Sequence, residues 1–476
     1  VFQNNVLSGA AGSGTTVHTI DQSIRFNPAD SAYMSRTPSG SSSSRKKWTF
    51  SGWFKRGNIT PSSSSRFFNV HSDSNNFFIS QFQSDDSFNV TAREGGSEVL
   101  KFEPARRFRD PSAWYHVVMA FDSTNSIGSE RFRVYFNGVR DTTALETTPS
   151  ADLELVVLEN CLHQIGRDTY SGSTFLFDGY MADLVLLDGT STDCSSFGEF
   201  NSSGIWIPKS VSGLTFGTNG FHIDGRDSSD LGDDESGQGN DFTTSGLAAH
   251  DQVVDSPTNN FCTFNPTDNR GNPGTLSEGN LKMAFAATND NVTGTQGISS
   301  GKWYWEAYIV DFNNTYIGVQ DSNVSATGYT ASAVALWYGG YIYDNNSDTG
   351  DRAIATSGAA YTNGDVVGVA FDAGNKKIWW SKNGQWYTAN ASSTSTIAIS
   401  EVVAGNSAQV ITRSPDFFMP FFGNYTHSTA IFNFGQEGTF SGNKTAGGNS
   451  DGNGVGNFFS AVPSGFLALC TNNLGS

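Results

Sequence analysis

The chain has 476 residues, with 28 Lys plus Arg against 46 Asp plus Glu and a net charge of −18. A surface this acidic repels a phosphate backbone, which excludes DNA and RNA as expected partners. A charged fraction of 16% excludes a coiled coil or a highly charged disordered chain, while 37 Phe, 15 Tyr and 10 Trp suffice to fill more than one core.

Residues 1–19 are small and polar and read as a flexible arm. They carry neither the basic start nor the apolar stretch of a signal peptide, and no run approaches the roughly 20 apolar residues that span a bilayer. Neither export nor membrane insertion is expected. From residue 20 to residue 225 short apolar-alternating runs are separated by turn clusters, as in WTFSGWFKR, WYHVVMAFD and RFRVYFNGVR. In the last of these Phe132, Val134 and Phe136 share one strand face, and Asn137-Gly138 predicts a two-residue hairpin turn. Residues 226–260 turn polar and acidic and read as an inter-domain linker. A second strand-rich region follows over 261–440, with GKWYWEAYI, YIGV, AVALWYGGYIYDN and IWWSKNG. There Ile378 and Trp380 fall on one face, Trp379 and Ser381 on the other, and Asn383-Gly384 makes the turn. Residues 441–476 read as a flexible loop followed by a tail apolar enough to dock. Strands at this spacing, with no amphipathic helix, predict an all-β chain of two tandem antiparallel β-sandwiches. Cys161, Cys194, Cys262 and Cys470 are scattered without a CxxC pair and are expected as free thiols.

The first region resembles the LamG-like, concanavalin-type sandwich. The resemblance is carried by SIRFN, WTFSGWFKR, Trp114-Tyr115-His116-Val117-Val118 with Phe121-Asp122, VYFNG, Gln164-Ile165-Gly166-Arg167 and FDGYMADLVLLD. The second resembles a SPRY domain through GKWYWEAYI, YIGV and GDVVGVAFDAGNKKIWWSKNG. The tandem order, with VFQNNVLSGAAG, DSPTNNFCTFNP and PSGFLALCTNNL, resembles virion structural proteins of tailed bacteriophages: tail fibres, spikes or capsid-surface proteins. That resemblance implies a virion-surface protein made in the host cytoplasm and used for host attachment. Its partners would be other virion proteins, further copies of itself as a homotrimer or higher oligomer, and a host surface glycan or protein. A purely structural capsid or tail decoration protein and a glycan-degrading depolymerase are the alternatives.

Catalysis is not expected. Glycoside hydrolysis needs two carboxylates about 5–9 Å apart, and the E-x-D-x-E spacing of concanavalin-type glucanases is missing; the nearest acidic run is Asp152-Leu153-Glu154. None of the seven His lies near a G-x-S-x-G elbow. No cofactor is expected, but calcium is carried as a candidate on Asp227, Asp230 and Asp233, within an acidic run from Asp224 to Asp241. An EF-hand does not fit, because positions five and twelve counted from Asp227 are Leu231 and Gln238, and a solvated acidic loop is the alternative. Sugar sites join an aromatic platform to a few hydrogen-bonding side chains. The richest such combination is Trp337, Tyr341, Tyr343 and Asp344, together with Tyr338, Asn345 and Asn346. Trp379 is added because it faces away from Ile378 and Trp380, and Trp386 because, with Tyr387, it follows the hairpin turn. The alternative is that these aromatics fill a second sheet face or an oligomer contact.

Overall fold

A computed structural model describes residues 18–170, 173–270, 274–322, 332–344, 353–356, 359–389 and 395–474. The expected arm therefore lies almost wholly outside the described residues, as do Asn345 and Asn346. The chain divides into two compact units, Val1–Asn259 and Asn260–Ser476. Both are antiparallel β-sandwiches, in agreement with the expected all-β class.

In the first unit one sheet runs, edge to edge, through Val139–Asp141, Phe132–Phe136, Trp114–Asp122, Lys47–Arg56, Gly179–Asp188, Ser23–Phe26 and Gln252–Val253. Phe221–Ile223 pairs in addition with Gly179–Asp188. The facing sheet runs Leu145–Thr147, Ser97–Phe102, Phe88–Glu94, Phe77–Phe82, Ser65–His71, Leu162–Ile165, Tyr33–Arg36 and Thr243–Ser245. Between them lies a ring-rich core in which Trp48 stacks on Phe121 at 5.4 Å and Phe50 on Phe68 at 4.6 Å. Phe132, Val134 and Phe136 point into it, as their alternation predicts. Asn137 and Gly138 turn the hairpin at φ 48° and 77°, the left-handed pair that a two-residue turn demands.

The acidic stretch 226–260 is not a linker. Thr243–Ser245 and Gln252–Val253 are edge strands of the two sheets. The reason is electrostatic. Arg25 and Lys55 are buried on the outward face of the first sheet and need counter-charges. Asp251 reaches Arg25 at 3.1 Å, and Asp255 reaches Lys55 at 2.6 Å while accepting the Trp114 indole N–H at 3.2 Å.

In the second unit a seven-stranded sheet is ordered Phe264–Arg270, Asp290–Gly294, Phe418–Asn424, Thr315–Asp321, Ala333–Trp337, Tyr341–Asp344 and Ala353–Thr356. The ten-stranded partner centres on Lys302–Asp311, Val366–Asp372 and Lys377–Lys382. Trp305, Trp380, Phe422 and Phe432 fill the space between the sheets. Asn383 and Gly384 repeat the left-handed turn at φ 50° and 80°. The C-terminal residues lie on the outer face of the larger sheet. Leu467–Ala468 pairs parallel with Lys302–Asp311, and the buried Glu306 carboxylate accepts from the Phe459 and Ser460 amides at 2.8 and 2.7 Å and from the Tyr304 hydroxyl at 2.8 Å. Residues 441–454, expected as a flexible loop, are held at their far end by Asp451, which accepts from the Asn453, Val455 and Ala468 amides at 2.9 Å each.

Two short basic groups, Arg45-Lys46-Lys47 and Arg106-Arg107, are neutralised locally. Arg45 lies by Glu154 and Glu159, Lys46 by Asp152, Lys47 by Asp122, Arg106 by Asp141 and Arg107 by Asp85. All four cysteines are free; burial pushes the Cys161 thiol up to about 12.

Candidate functional site

Of the six main candidates, Trp337, Tyr341, Tyr343, Asp344, Trp379 and Trp386, the seven-stranded sheet of the second unit brings the first three together. Strand register places Tyr316 opposite Trp337, and Ala335 opposite Tyr343, so these side chains share the outward face. The rings form a connected row. Phe312 lies 5.3 Å from Tyr338, Tyr338 4.3 Å from Trp337, and Trp337 5.8 Å from Tyr341 and 6.3 Å from Tyr343, which meets Tyr316 at 5.4 Å. The Tyr-Gly-Gly turn after Trp337 shapes this row. A Cβ on Gly339 would lie 2.3 Å from the Trp337 ring, so only glycine lets the indole fold back over the turn. Tyr341 is 44% exposed, Trp337, Tyr338 and Tyr343 are half-buried, and Tyr316 is buried. The row thus runs from an open ring to one embedded in the sheet. The indole N–H of Trp337 is buried with no hydrogen-bond partner among the described residues.

Polar groups gather at the same end of this sheet. The turn after Lys302–Asp311 carries Asn313 and Asn314, and the turn after Phe418–Asn424 carries Tyr425 and His427. The Tyr425 amide donates to the Asn314 carbonyl at 3.0 Å, joining the two turns. Asn313 Nδ2 lies 3.1 Å from the exposed His427 imidazole, whose Nε2 is 3.4 Å from Asp311. Tyr425 is 48% exposed. Phe312, Asn313, Tyr425 and His427 are not among the residues that the sequence pattern singles out; the strand runs GKWYWEAYIVDF and PFFGNY that border them were the available signal.

Three of the six residues are placed elsewhere. Asp344 projects from the opposite face to Tyr341 and Tyr343, opposite Val334 of the core, and is ion-paired with Arg413. Arg413 also holds Asp321 at 2.7 Å. Burial raises both carboxyls above the usual carboxylate range, and the guanidinium between them pulls the other way. Trp379 does alternate away from the core, but the face it joins is covered. It is fully buried, donates its indole N–H to the Asn406 carbonyl at 2.6 Å and meets the edge of Phe466 at 5.9 Å. Trp386 is likewise buried, 6.2 Å from Tyr304. Neither presents a face to a ligand.

The calcium candidates are engaged in local turns. Asp227 accepts from the Ser229 amide and hydroxyl at 2.8 and 2.6 Å, and Asp230 from the Gly232 amide at 3.2 Å. At Asp233 partial burial, then the neighbouring Asp241, Asp230 and Asp227 charges, raise the carboxyl. Among the described residues no group of three or more His, Cys, Asp or Glu side chains is placed to hold a metal ion.

His116, a candidate for neither catalysis nor binding, is held in a polar stack under the first unit's surface. Its ring lies 4.4 Å from Trp53 and 5.9 Å from Trp206. Nδ1 accepts the Trp206 indole N–H at 3.0 Å, and Nε2 lies 2.8 Å from the Ser51 hydroxyl. Burial depresses its pKa to about 3.

Residues 29–194, within the first unit, match the family model Laminin_G_3, described as the concanavalin A-like lectin/glucanases superfamily. The first unit therefore carries a LamG-type, concanavalin-like domain. Among solved structures, the chain is similar to the SPRY domain of human HERC1, at 18% identity over 36% of this chain and 96% of that one, with a TM-score of 0.26. It is also similar to a putative carbohydrate binding protein from Bacteroides ovatus, at 14% identity over 48% of this chain and 60% of that one, with a TM-score of 0.36. A third similarity is to the heptameric SAP-like pentraxin of Limulus polyphemus, at 18% identity over 37% and 80%, with a TM-score of 0.26. No curated protein matches the chain.

Proposed function

We propose that the chain is a non-enzymatic attachment protein of a tailed-phage virion surface that binds a host-cell glycan through the ring row of its second unit. The observation that carries the glycan reading is the row Phe312–Tyr338–Trp337–Tyr341, open at Tyr341 and adjoined at one end of the sheet by Asn313, Asn314 and His427. The apolar face of a sugar ring packs on an aromatic face, and its hydroxyls take amide and imidazole partners. The lectin-type fold of the first unit supports the same class of ligand. The virion placement is supported by the tandem LamG-like and SPRY-like order and the flanking segments that resemble phage structural proteins. Individually weak sites would be multiplied by repetition on the particle.

The test is a glycan array followed by titration calorimetry, with a reducing-end assay run on every sugar that binds. Tyr341→Ala is expected to weaken the bound glycan about tenfold and leave the fold intact, because Tyr341 is exposed. Affinity unchanged by both Tyr341→Ala and Trp337→Ala would remove the ring row as the site. Release of new reducing ends would overturn the non-enzymatic reading.

A further inference from the structure

The first sheet of the first unit carries two buried cations on its outward side, and they differ in the chemistry they permit. Strand Lys47–Arg56 alternates Trp48, Phe50 and Phe54 into the core, which leaves Trp53 and Lys55 on the other side. Across the sheet Lys55 lies opposite Trp114 on one neighbouring strand and Tyr180 on the other. Its Nζ is 5.6 Å from the Tyr180 ring centroid. Trp53, Trp114 and Tyr180 form an apolar cluster there with Ile20 and Val253. Within this wall of rings the Asp255 carboxylate meets the Lys55 amine at 2.6 Å, the two side chains being 1% and 0% exposed. Among the described residues it is the one lysine–carboxylate pair buried on both sides; in the others the lysine side chain is 31–40% exposed.

Asp255 is held as firmly as its partner. It follows the edge strand Gln252–Val253, and its carbonyl accepts the Ser23 hydroxyl at 2.6 Å. Oδ1 accepts the Trp114 indole N–H at 3.2 Å, while Oδ2 faces Lys55. Thr258 Oγ1 accepts the Ile20 amide at 3.2 Å and donates to the Ile20 carbonyl at 2.7 Å, so segments 20–23 and 255–258 are tied together. Two charges in an apolar wall are costly to keep. Arg25, paired with Asp251 on the same side of the sheet, has no other course, because a guanidinium does not give up its proton. An amine can, and it is then a nucleophile. A carboxylate oxygen at 2.6 Å puts the adjoining carbon close to the roughly 3–3.5 Å from which attack proceeds. Partners fixed in this way react as if at roughly 10⁵–10⁸ M, which offsets the reluctance of an unactivated carboxyl to be displaced.

We infer that Lys55 and Asp255 become joined by an amide bond between Nζ and Cγ, made by the chain itself with loss of one water. The ammonium passes a proton to Oδ2, leaving an amine and a carboxylic acid. The Nζ lone pair forms a bond to Cγ, and the negative charge that develops collects on Oδ1, where the Trp114 indole N–H already donates. Nζ gives a second proton to Oδ2, the Cγ–Oδ2 bond breaks, and Oδ2 leaves as water while Oδ1 becomes the amide carbonyl. The three protons of the ammonium end as one on the amide and two on the water, the two charges cancel, and nothing is oxidised or reduced. Exclusion of water from the ring-lined site opposes the return reaction. The product joins a central strand to the end of the same unit, 200 positions away. It fixes the tied segments 20–23 and 255–258 to the sheet and encloses most of the first unit in a covalent loop, so the unit resists unfolding from its ends. This inference is independent of the glycan reading.

The test is the intact mass of the full chain in denaturant, freshly purified and again after several days near neutral pH. The chain is expected to be lighter than its sequence by one water. A chymotryptic digest is expected to contain a branched peptide that joins the segments holding Lys55 and Asp255, and trypsin is expected not to cut after Lys55. Lys55→Arg keeps the charge but cannot form the bond, and should restore the mass of its sequence. Asp255→Asn should form the same amide by expelling ammonia, and so be lighter than its own sequence by one ammonia. A parent chain with the mass of its sequence at both times would overturn the inference, whether or not either variant folds. A water loss that persists in Lys55→Arg would also overturn it, as would one that maps to peptides lacking Lys55.

Discussion

The buried histidine of the first unit makes its stability fall in acid, by an amount the structure sets. His116 is neutral when folded because burial holds its pKa near 3, against an ordinary value of 6.5. Above pH 6.5 the ring is neutral in both the folded and unfolded chain and contributes no pH dependence. Between 6.5 and about 3 the unfolded chain binds a proton that the folded chain does not, so stability drops by about 1.4 kcal/mol per pH unit. At pH 4.5 this amounts to about 2.7 kcal/mol, and below the folded pKa the loss levels off. Other groups titrate over the same range, so the contribution must be isolated by difference. His116→Gln retains an acceptor for the Trp206 indole and a donor for Ser51 but cannot take up the proton. At pH 7 this variant is expected to be less stable by about 1–3 kcal/mol, through lost stacking between Trp53 and Trp206. The gap should close by about 2.7 kcal/mol between pH 7 and pH 4.5. Urea titrations followed by hydrogen exchange in peptides from Trp114–Asp122 read the first unit apart from the second. A gap that stays constant within about 0.5 kcal/mol over that range would refute a neutral, proton-excluding His116.

Two further outcomes concern the second unit. Glu306→Ala leaves the Phe459 and Ser460 amides and the Tyr304 hydroxyl without their shared acceptor, and should destabilise the unit by about 3 kcal/mol or more. Faster hydrogen exchange across residues 455–470 would show the C-terminal segment loosening first, and protection equal to the parent chain would contradict the role given to Glu306. Trp379→Ala should cost about 3–5 kcal/mol, because a fully buried indole is lost, while glycan affinity stays unchanged in the protein that remains folded. A Trp379 variant that keeps its stability but loses the glycan would return this residue to the binding surface.

Strand periodicity made most of the framework legible. Phe132, Val134 and Phe136 enter the core as their alternation requires, and both Asn-Gly pairs turn hairpins in the left-handed region. What periodicity cannot state is what covers the other face of a strand. Trp379 alternates away from the core correctly, yet Phe466, 87 positions further on, closes over it. The same long reach misled the reading of the acidic stretch. Asp251 and Asp255 look like solvated charge until Arg25 and Lys55, about two hundred positions earlier, are seen buried beside them. Within the aromatic cluster, alternation correctly separates Tyr341 and Tyr343 from Ile342, but the same alternation sends Asp344 to the other face. An acid adjacent in sequence to two rings was therefore counted with them when strand geometry set it apart. His427 and Tyr425, which adjoin the row in space, sit on a different turn and had no local pattern to link them to it.

The two units solve one packing problem in parallel, and the solution bears on where binding occurs. Each sandwich has outward sheet faces as well as a core, and in each unit one outward face carries residues that cannot be left bare. In the first, Arg25 and Lys55 draw Asp251 and Asp255 across the sheet. In the second, Glu306 and Trp379 are closed over by the C-terminal segment. Covered faces of this kind stabilise the fold but offer a ligand nothing, which is why Trp379 and Trp386 contribute packing rather than recognition. The ring row differs in that the covering leaves it open where it surfaces at Tyr341. Its rings stand on a rigid sheet, which fixes their positions, and the Tyr-Gly-Gly turn is constrained with them, because a side chain on Gly339 would strike the Trp337 indole.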